Sequence, residues 1–379
     1  MSSETPSAQA WYHAMSFEPT ELEEVPMQIV GALDVHRRQI TTKTLNLETA
    51  EVRRGRITPA AREPVRRWLR RFHGTDAHLA LEATTGWRFI VEEIERAGLT
   101  AHLADPAETA ARRGRKRRAK TDAADCQLLL RLLLRGELPE AWIPPFHISE
   151  LRVLVRTRKA LLDERTAWQQ RLQAHLFQQG VEPGLQLWSE SGRERLLAAE
   201  LSPAGQTLAA LGARMIELLG RELDPLEQRL RAIARRQPGC RALIARLFGV
   251  GQLLSPAILA ELGDCRRFSS SADAVRHTGL DVTVWESDSR RAPGHLSRQG
   301  PELLRWALFE AAQSAARAGS PDHHYYLAVR KRHDHPRACL SVARKLCRRA
   351  YHILRELGEE ALAPVEGLLP AAEEVAAAA

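Results

Sequence analysis

The stretch Met27-Gln-Ile-Val-Gly-Ala-Leu-Asp-Val35 constrains the fold more than any other, because an apolar run that ends on an acid reads as a buried strand. Residues 39–46 alternate and are rich in Thr and Ile, and residues 51–57 follow, so the three runs predict an antiparallel meander. Thr58-Pro-Ala-Ala opens a helix through residue 71, and residues 76–81 form another short strand, closed by Glu82-Ala-Thr-Thr-Gly86. A helix over 87–97 and a strand over 99–104 come next. Strands followed by alternating helix and strand predict an α/β domain. Pro139-Glu-Ala-Trp-Ile-Pro-Pro145 breaks the pattern and bounds that domain at 26–145, behind a polar, acidic leader over 1–25.

Within this domain the acids are placed where chemistry could use them. Lys120-Thr-Asp-Ala-Ala-Asp-Cys126 leads into the apolar run 127–134, which reads as a helix. Asp122 and Asp125, three residues apart, share a face of that helix. An ordinary reading also exists: Thr121 caps the helix, and acids in its first turn complement the dipole. Asp34 ends the first strand and Glu82 the fourth, so both acids can converge at one edge of the sheet, where the Asp122 helix completes the cluster. A core does not tolerate four carboxylates unless cations neutralise them. Two magnesium ions about 3.5–4 Å apart would do so and would support phosphodiester cleavage. Otherwise Asp34 and Glu82 are ordinary turn acids. Just before the helix lies a cationic run, Arg112, Arg113, Arg115, Lys116, Arg117, Arg118 and Lys120, which reads as a phosphate track.

Composition agrees with an anionic partner. The chain of 379 residues carries a formal net charge of +8, and arginine, whose planar fork binds phosphate bidentately, outnumbers lysine. That length suits two or three domains. The five cysteines are scattered without a C-x-x-C pair, which argues against a disulfide framework or a zinc site. No apolar run is long enough to span a bilayer, and the N-terminus does not resemble a signal peptide, so a cytoplasmic protein is expected.

Residues 149–179 read as a helix with Leu151, Leu154, Leu161, Leu162, Trp168, Leu172 and Leu176 on one side. A second helix runs over 208–236, with Pro225 placed to kink it. The two predict an antiparallel or coiled-coil pair over 146–236, serving as a spacer, an oligomerisation element or a nucleic-acid surface. In a third region, 237–357, Gly249-Val-Gly251 precedes a helix. It resembles a helix-hairpin-helix turn that holds phosphate through backbone amides, or else is a glycine turn between packed helices. Residues 279–300 read as a long polar loop with Ser287, Ser289, Ser297, Arg290, Arg291, His295 and Arg298. Cationic groups activate a serine and stabilise a phosphorane, but spacing alone favours a loop that merely grips phosphate. His323, His324, His333 and His335 lack a recognised ligand spacing and read as surface residues. Residues 358–379 read as a low-complexity tail.

These motifs, in this order, resemble the DEDD-type transposases of the insertion-sequence one-ten family, described as bridge-RNA-guided, serine-recombinase-like enzymes. The resemblance covers residues 27–357. It rests on Gly31-Ala-Leu-Asp34, Leu81-Glu-Ala-Thr-Thr-Gly86, Lys120-Thr-Asp-Ala-Ala-Asp125, the segment from Gly249-Val-Gly251 to Gly263-Asp264, and Gly279-Leu-Asp281 through Leu304-Arg305. This chain has Ser287-Asp288 where the family often has Ser-Gly, and Leu247-Phe-Gly-Val-Gly251 where it has apolar-Pro-Gly-Ile-Gly. The resemblance implies an α/β plus α protein. An RNase H/RuvC-like domain would carry Asp34, Glu82, Asp122 and Asp125, followed by a helical coiled-coil middle. A mostly helical C-terminal transposase domain with a helix-hairpin-helix-like turn would carry a nucleophilic serine, aligned here with Ser287. It further implies a homodimer or homotetramer with composite sites, donor and target DNA as partners, and a structured guide RNA that pairs with both. The expected protein is a bacterial, cytoplasmic, nucleoid-associated transposase that cuts and rejoins DNA. The alternatives are a magnesium-dependent Holliday-junction-type endonuclease without a covalent intermediate, and a basic nucleic-acid-binding scaffold.

Overall fold

The computed structural model describes residues 28–113, 121–181, 199–287 and 290–369, together with Gly192, Glu194 and Leu196, and omits the side chains of 284–293. The expected leader, Arg115, Lys116, Arg117, Arg118 and Lys120 therefore lie outside the described residues, as does 370–379. The chain divides into two compact units, Met1–Ile143 and Pro144–Ala379.

The first unit is a five-stranded sheet in the order β3-β2-β1-β4-β5. Its strands are β1 (Ile29–Val35), β2 (Ile40–Asn46), β3 (Val52–Ile57), β4 (Ala77–Glu82) and β5 (Thr100–Ala104). The first three form the expected antiparallel meander, and β1, β4 and β5 run parallel. Side chains alternate across a strand, so each strand supplies two faces. Leu33, Val35, Leu79, Leu81 and Leu103 join one core with residues of α1 (Arg62–Leu69) and α2 (Trp87–Arg96). Val30, Ala32, Ala80 and Ala104 join the other core, with Cys126, Leu129, Leu130 and Leu133 of α4 (Asp122–Leu134). The short helix α3 (Pro106–Ala111), capped by Asp105, follows β5. Gly31 lets β1 and β4 pack closely, since a Cβ there would sit 2.5 Å from Leu79 Cδ2. The edge strand β3 is blunted by exposed Arg53, Arg54 and Arg56.

The second unit is mostly helical. α5 (Phe146–Gln178) and α6 (Pro203–Arg236) lie antiparallel: Gln179 bonds Ser202, Gly212 packs on Leu172, and Arg158 pairs with Glu227. Both helices start earlier than expected. Pro145 flanks the first and Pro203 opens the second at its first position, where the missing N–H costs nothing. α6 also continues through Pro225.

Five further helices, α7 (Pro238–Arg246), α8 (Leu254–Leu262), α9 (Ser271–Thr278), α10 (Glu302–Gln313) and α11 (His323–Arg330), pack with α12 (His335–Leu357) around one core. Two expectations are corrected here. Residues 358–369 are not part of a tail: Ala361, Val365 and Leu369 are buried in that core, and Leu362 accepts a hydrogen bond from His147. The supposed polar loop contains a β-hairpin, β6 (Val282–Ser287) and β7 (Arg290–Leu296), in which Ser287 pairs with Arg290 across the tip. Its polar composition and the Pro293-Gly294 interruption hide the strand pattern. Among the described residues, no helix is long and apolar enough to cross a membrane.

Candidate metal centre

The strand parity that builds the second core of the sheet also aims the acids. Asp34 is in phase with Val30 and Ala32 at the end of β1, and Glu82 is in phase with Ala80 at the end of β4. Both thus emerge on the face covered by α4, at the C-terminal ends of adjacent parallel strands. Thr121 caps α4 by accepting from the Ala124 amide at 3.2 Å, which places Asp122 and Asp125 in the first turn. Cys126 anchors that turn, its thiol donating to the Thr41 carbonyl at 3.2 Å. Burial, with the charges of Asp34, Asp125 and Asp122, pushes the Cys126 thiol up to about 12, so it serves as a neutral packing group.

The four acids meet as two pairs rather than as one tight cluster, and each pair has a cationic or potentially cationic side chain beside it. His36 Nε2 lies 3.1 Å from Asp34 Oδ2 and 3.5 Å from Asp122 Oδ1. Thr41 Oγ1 also donates to Asp122 at 3.5 Å. Arg113 Nη2 lies 3.2 Å from Asp125 Oδ1 and 3.7 Å from Glu82 Oε1. Burial raises the Asp34 carboxyl above its usual range; contact with His36 opposes the rise, and Asp122 and Asp125 add to it. Four carboxylates against one guanidinium and one imidazole leave the corner with an excess of anionic groups. Its oxygen donors are hard, and they fit a hard divalent cation of the magnesium type. Among the described residues, the one group compact enough to share an ion is Asp34, His36 and Asp122, whose candidate ligand atoms all lie within 4.8 Å of one another.

Two of these residues escaped the sequence reading in their present roles. His36 follows Asp34 by two positions, so strand parity alone would have put it on the same side. The basic run predicts a phosphate contact at Arg113, and no local pattern joins it to Glu82 and Asp125. Its neighbour Arg112 is exposed at the end of α3. The remaining candidates belong to the second unit. Gly249 has φ +86 and a tight fit, since a Cβ would meet the Ala311 carbonyl at 2.5 Å, whereas nothing crowds Gly251 within 4 Å. Arg298 is exposed beside the hairpin, its amide donating to the Gly279 carbonyl at 3.1 Å. Ser287, Arg290 and Arg291 stand near the hairpin tip, and their side chains lie outside those described. Of the four histidines, His335 bonds the Tyr326 hydroxyl at 2.7 Å and His323 bonds the Ala315 carbonyl at 3.1 Å.

Comparison with known proteins points the same way. Residues 31–179 match a DEDD transposase family model of the IS110 type, described as "Transposase", and residues 241–327 match the "Transposase IS116/IS110/IS902 family". A protein of Sinorhizobium fredii (strain NBRC 101917 / NGR234) named "Putative transposase y4rJ" is 30% identical over 248 residues, covering 58% of this chain and 60% of the relative. A second from the same strain, "Putative transposase y4pF/y4sB", is 25% identical over 245 residues, covering 63% of each. The chain thus spans less than two thirds of the length of these curated relatives. The first family match contains all four acids of the corner, and the second contains the glycine turn and the hairpin. The chain belongs to the IS110 family of DEDD transposases.

Proposed function

We propose that this protein cuts and rejoins DNA as the transposase of an insertion sequence. The observation that carries the reading is the meeting of Asp34, Glu82, Asp122 and Asp125 at one corner of the sheet, where four carboxylates outnumber the Arg113 guanidinium and His36 imidazole beside them. Three antiparallel strands followed by two parallel ones, with a helix bringing acids to the strand ends, support an RNase H/RuvC-like domain over 26–145. The antiparallel helices of 146–236 act as a coiled-coil region. Residues 237–357 act as the C-terminal transposase domain, with the Gly249–Gly251 turn as a helix-hairpin-helix-like phosphate contact. Magnesium ions held by the four carboxylates would supply charge neutralisation and activation of an attacking oxygen.

Ser287 is the nucleophile in this reading. Its Oγ forms a bond to phosphorus as the bond from phosphorus to the leaving DNA oxygen breaks, and the proton of Oγ goes to a base in the site. The phosphoserine ester conserves the energy of the broken bond for rejoining. Arg290 and Arg291 neutralise the non-bridging oxygens. Arg112, Arg113, Arg115, Lys116, Arg117, Arg118, Lys120 and Arg298 track phosphates of the donor and target DNA and of a structured guide RNA. The active form is a homodimer or homotetramer, working in the bacterial cytoplasm at the nucleoid. Trapping the reaction on labelled donor DNA, followed by digestion and mass spectrometry, tests this scheme. An adduct on the peptide containing Ser287, lost in Ser287→Ala, supports it. An adduct on Ser289 or Ser297 overturns the assignment, and cleavage with no adduct favours the hydrolytic endonuclease instead.

A further inference from the structure

His36 stands out among the side chains around the acid corner because it is neither an acid nor a cation of the basic run. Its backbone is fixed: the His36 amide donates to the Gln39 carbonyl at 3.0 Å, closing the turn between β1 and β2. From that turn the imidazole reaches back over the end of its own strand to Asp34 and across to the first turn of α4. Its side chain is 53% exposed, so burial does not force it there. Exposed histidine gains little by lying against carboxylates in water. The spacing is informative. Two donors at right angles on one ion, each about 2.1 Å from it, lie about 3 Å apart. Nε2 stands 3.1 Å from one carboxylate oxygen and 3.5 Å from the other, close to that separation on both sides.

We infer that His36 Nε2 is a ligand of the cation held by Asp34 and Asp122, and that it biases this position toward Mn²⁺ over Mg²⁺. The inference rests on the metal reading of the acid corner and adds to it a nitrogen donor with a consequence for metal choice. Carboxylates serve Mg²⁺ and Mn²⁺ alike, whereas an imidazole favours the later metal of the pair, which dehydrates more readily and accepts nitrogen.

The full-length chain is titrated with Mn²⁺, and the bound ion is examined by electron spin-echo modulation, which detects a directly coordinated nitrogen without any turnover. Wild type shows nitrogen coupling that changes on histidine ¹⁵N labelling. His36→Gln loses the coupling and binds Mn²⁺ at least about tenfold more weakly, with a smaller change for Mg²⁺. If Mn²⁺ binds to wild type without nitrogen coupling, and Asp34→Asn and Asp122→Asn abolish binding, the ligand role of His36 is overturned while the acid site stands. If wild type binds no Mn²⁺, or Asp34→Asn and Asp122→Asn bind as wild type does, the acid site itself fails and the inference with it.

Discussion

Arg113→Gln perturbs a residue that belongs both to the basic run and to the acid corner. Its guanidinium lies 3.2 Å from Asp125 and 3.7 Å from Glu82, and the side chains are 29%, 15% and 19% exposed respectively. A unit-charge pair about 4 Å apart is worth about 4 kcal/mol at an effective dielectric near 20. Loss of hydration on all three groups offsets most of that, leaving roughly 1–2 kcal/mol net. A divalent cation that uses Glu82 and Asp125 must first displace this contact. Removing the guanidinium while keeping a polar side chain should therefore strengthen Mg²⁺ binding about tenfold, since about 1.4 kcal/mol is a factor of ten. Calorimetric titration of the free protein reads this directly. The same substitution should weaken nucleic-acid binding and lower the slope of log affinity against log salt by about one. Unchanged or weaker Mg²⁺ binding would mean that Arg113 does not compete with a cation, and the argument from paired acids would lose its second half.

Three further substitutions test the scaffold. Glu93 of α2 is buried and receives hydrogen bonds from Arg62, Arg66 and Arg96. Burial pushes its carboxyl up, but the three arginines outweigh burial and hold it at about 2. A depressed carboxyl contributes stability that is full above its unfolded value, about 4.3, and is lost as pH falls toward 2. Glu93→Gln should thus cost about 2 kcal/mol at neutral pH, discounted for the exposed arginines, with a deficit that shrinks between pH 4 and 2 in urea unfolding. A constant deficit across that window would refute the pairing. Gly249→Ala should destabilise the second unit by about 2–4 kcal/mol in thermal unfolding, because φ +86 and contact with Ala311 and Ser314 both oppose a Cβ. Gly251→Ala, with open space around it, should leave stability within about 0.5 kcal/mol of wild type.

Much of the acid corner was legible in the sequence because local rules reach it. Asp34 and Glu82 each end an apolar strand, and Asp122 and Asp125 sit three apart behind a threonine cap, so period and capping chemistry bring them to neighbouring ends of elements. The meander over β1–β3 followed from alternation in the same way. The pairing pattern did not. That Asp34 faces Asp122 while Glu82 faces Asp125 depends on where α4 crosses the sheet, which is decided by Cys126, Leu129, Leu130 and Leu133 packing on Val30, Ala32, Ala80 and Ala104. His36 was accessible to a parity argument, but only one carried past the last strand residue into the turn. The β6–β7 hairpin escaped because β7 opens on two arginines and is interrupted by Pro293 and Gly294, which masks the pairing of the more strand-like β6. The burial of Val365 and Leu369 escaped because an alanine-rich end masks the apolar residues just before it.

The claim on which the account depends is that the acids of this corner carry strand cleavage. Asp122→Asn keeps the shape of the side chain and the Thr121 cap of α4 but removes the charge that holds a hard cation. The decisive measurement is Mg²⁺-dependent cleavage of element-end DNA by protein expressed with the element's native flanking transcript, with wild type and Asp122→Asn at matched folding and nucleic-acid binding. The account predicts that wild type cuts and that Asp122→Asn, though folded and bound, stays at background. Cleavage by Asp122→Asn at the wild-type rate would contradict it.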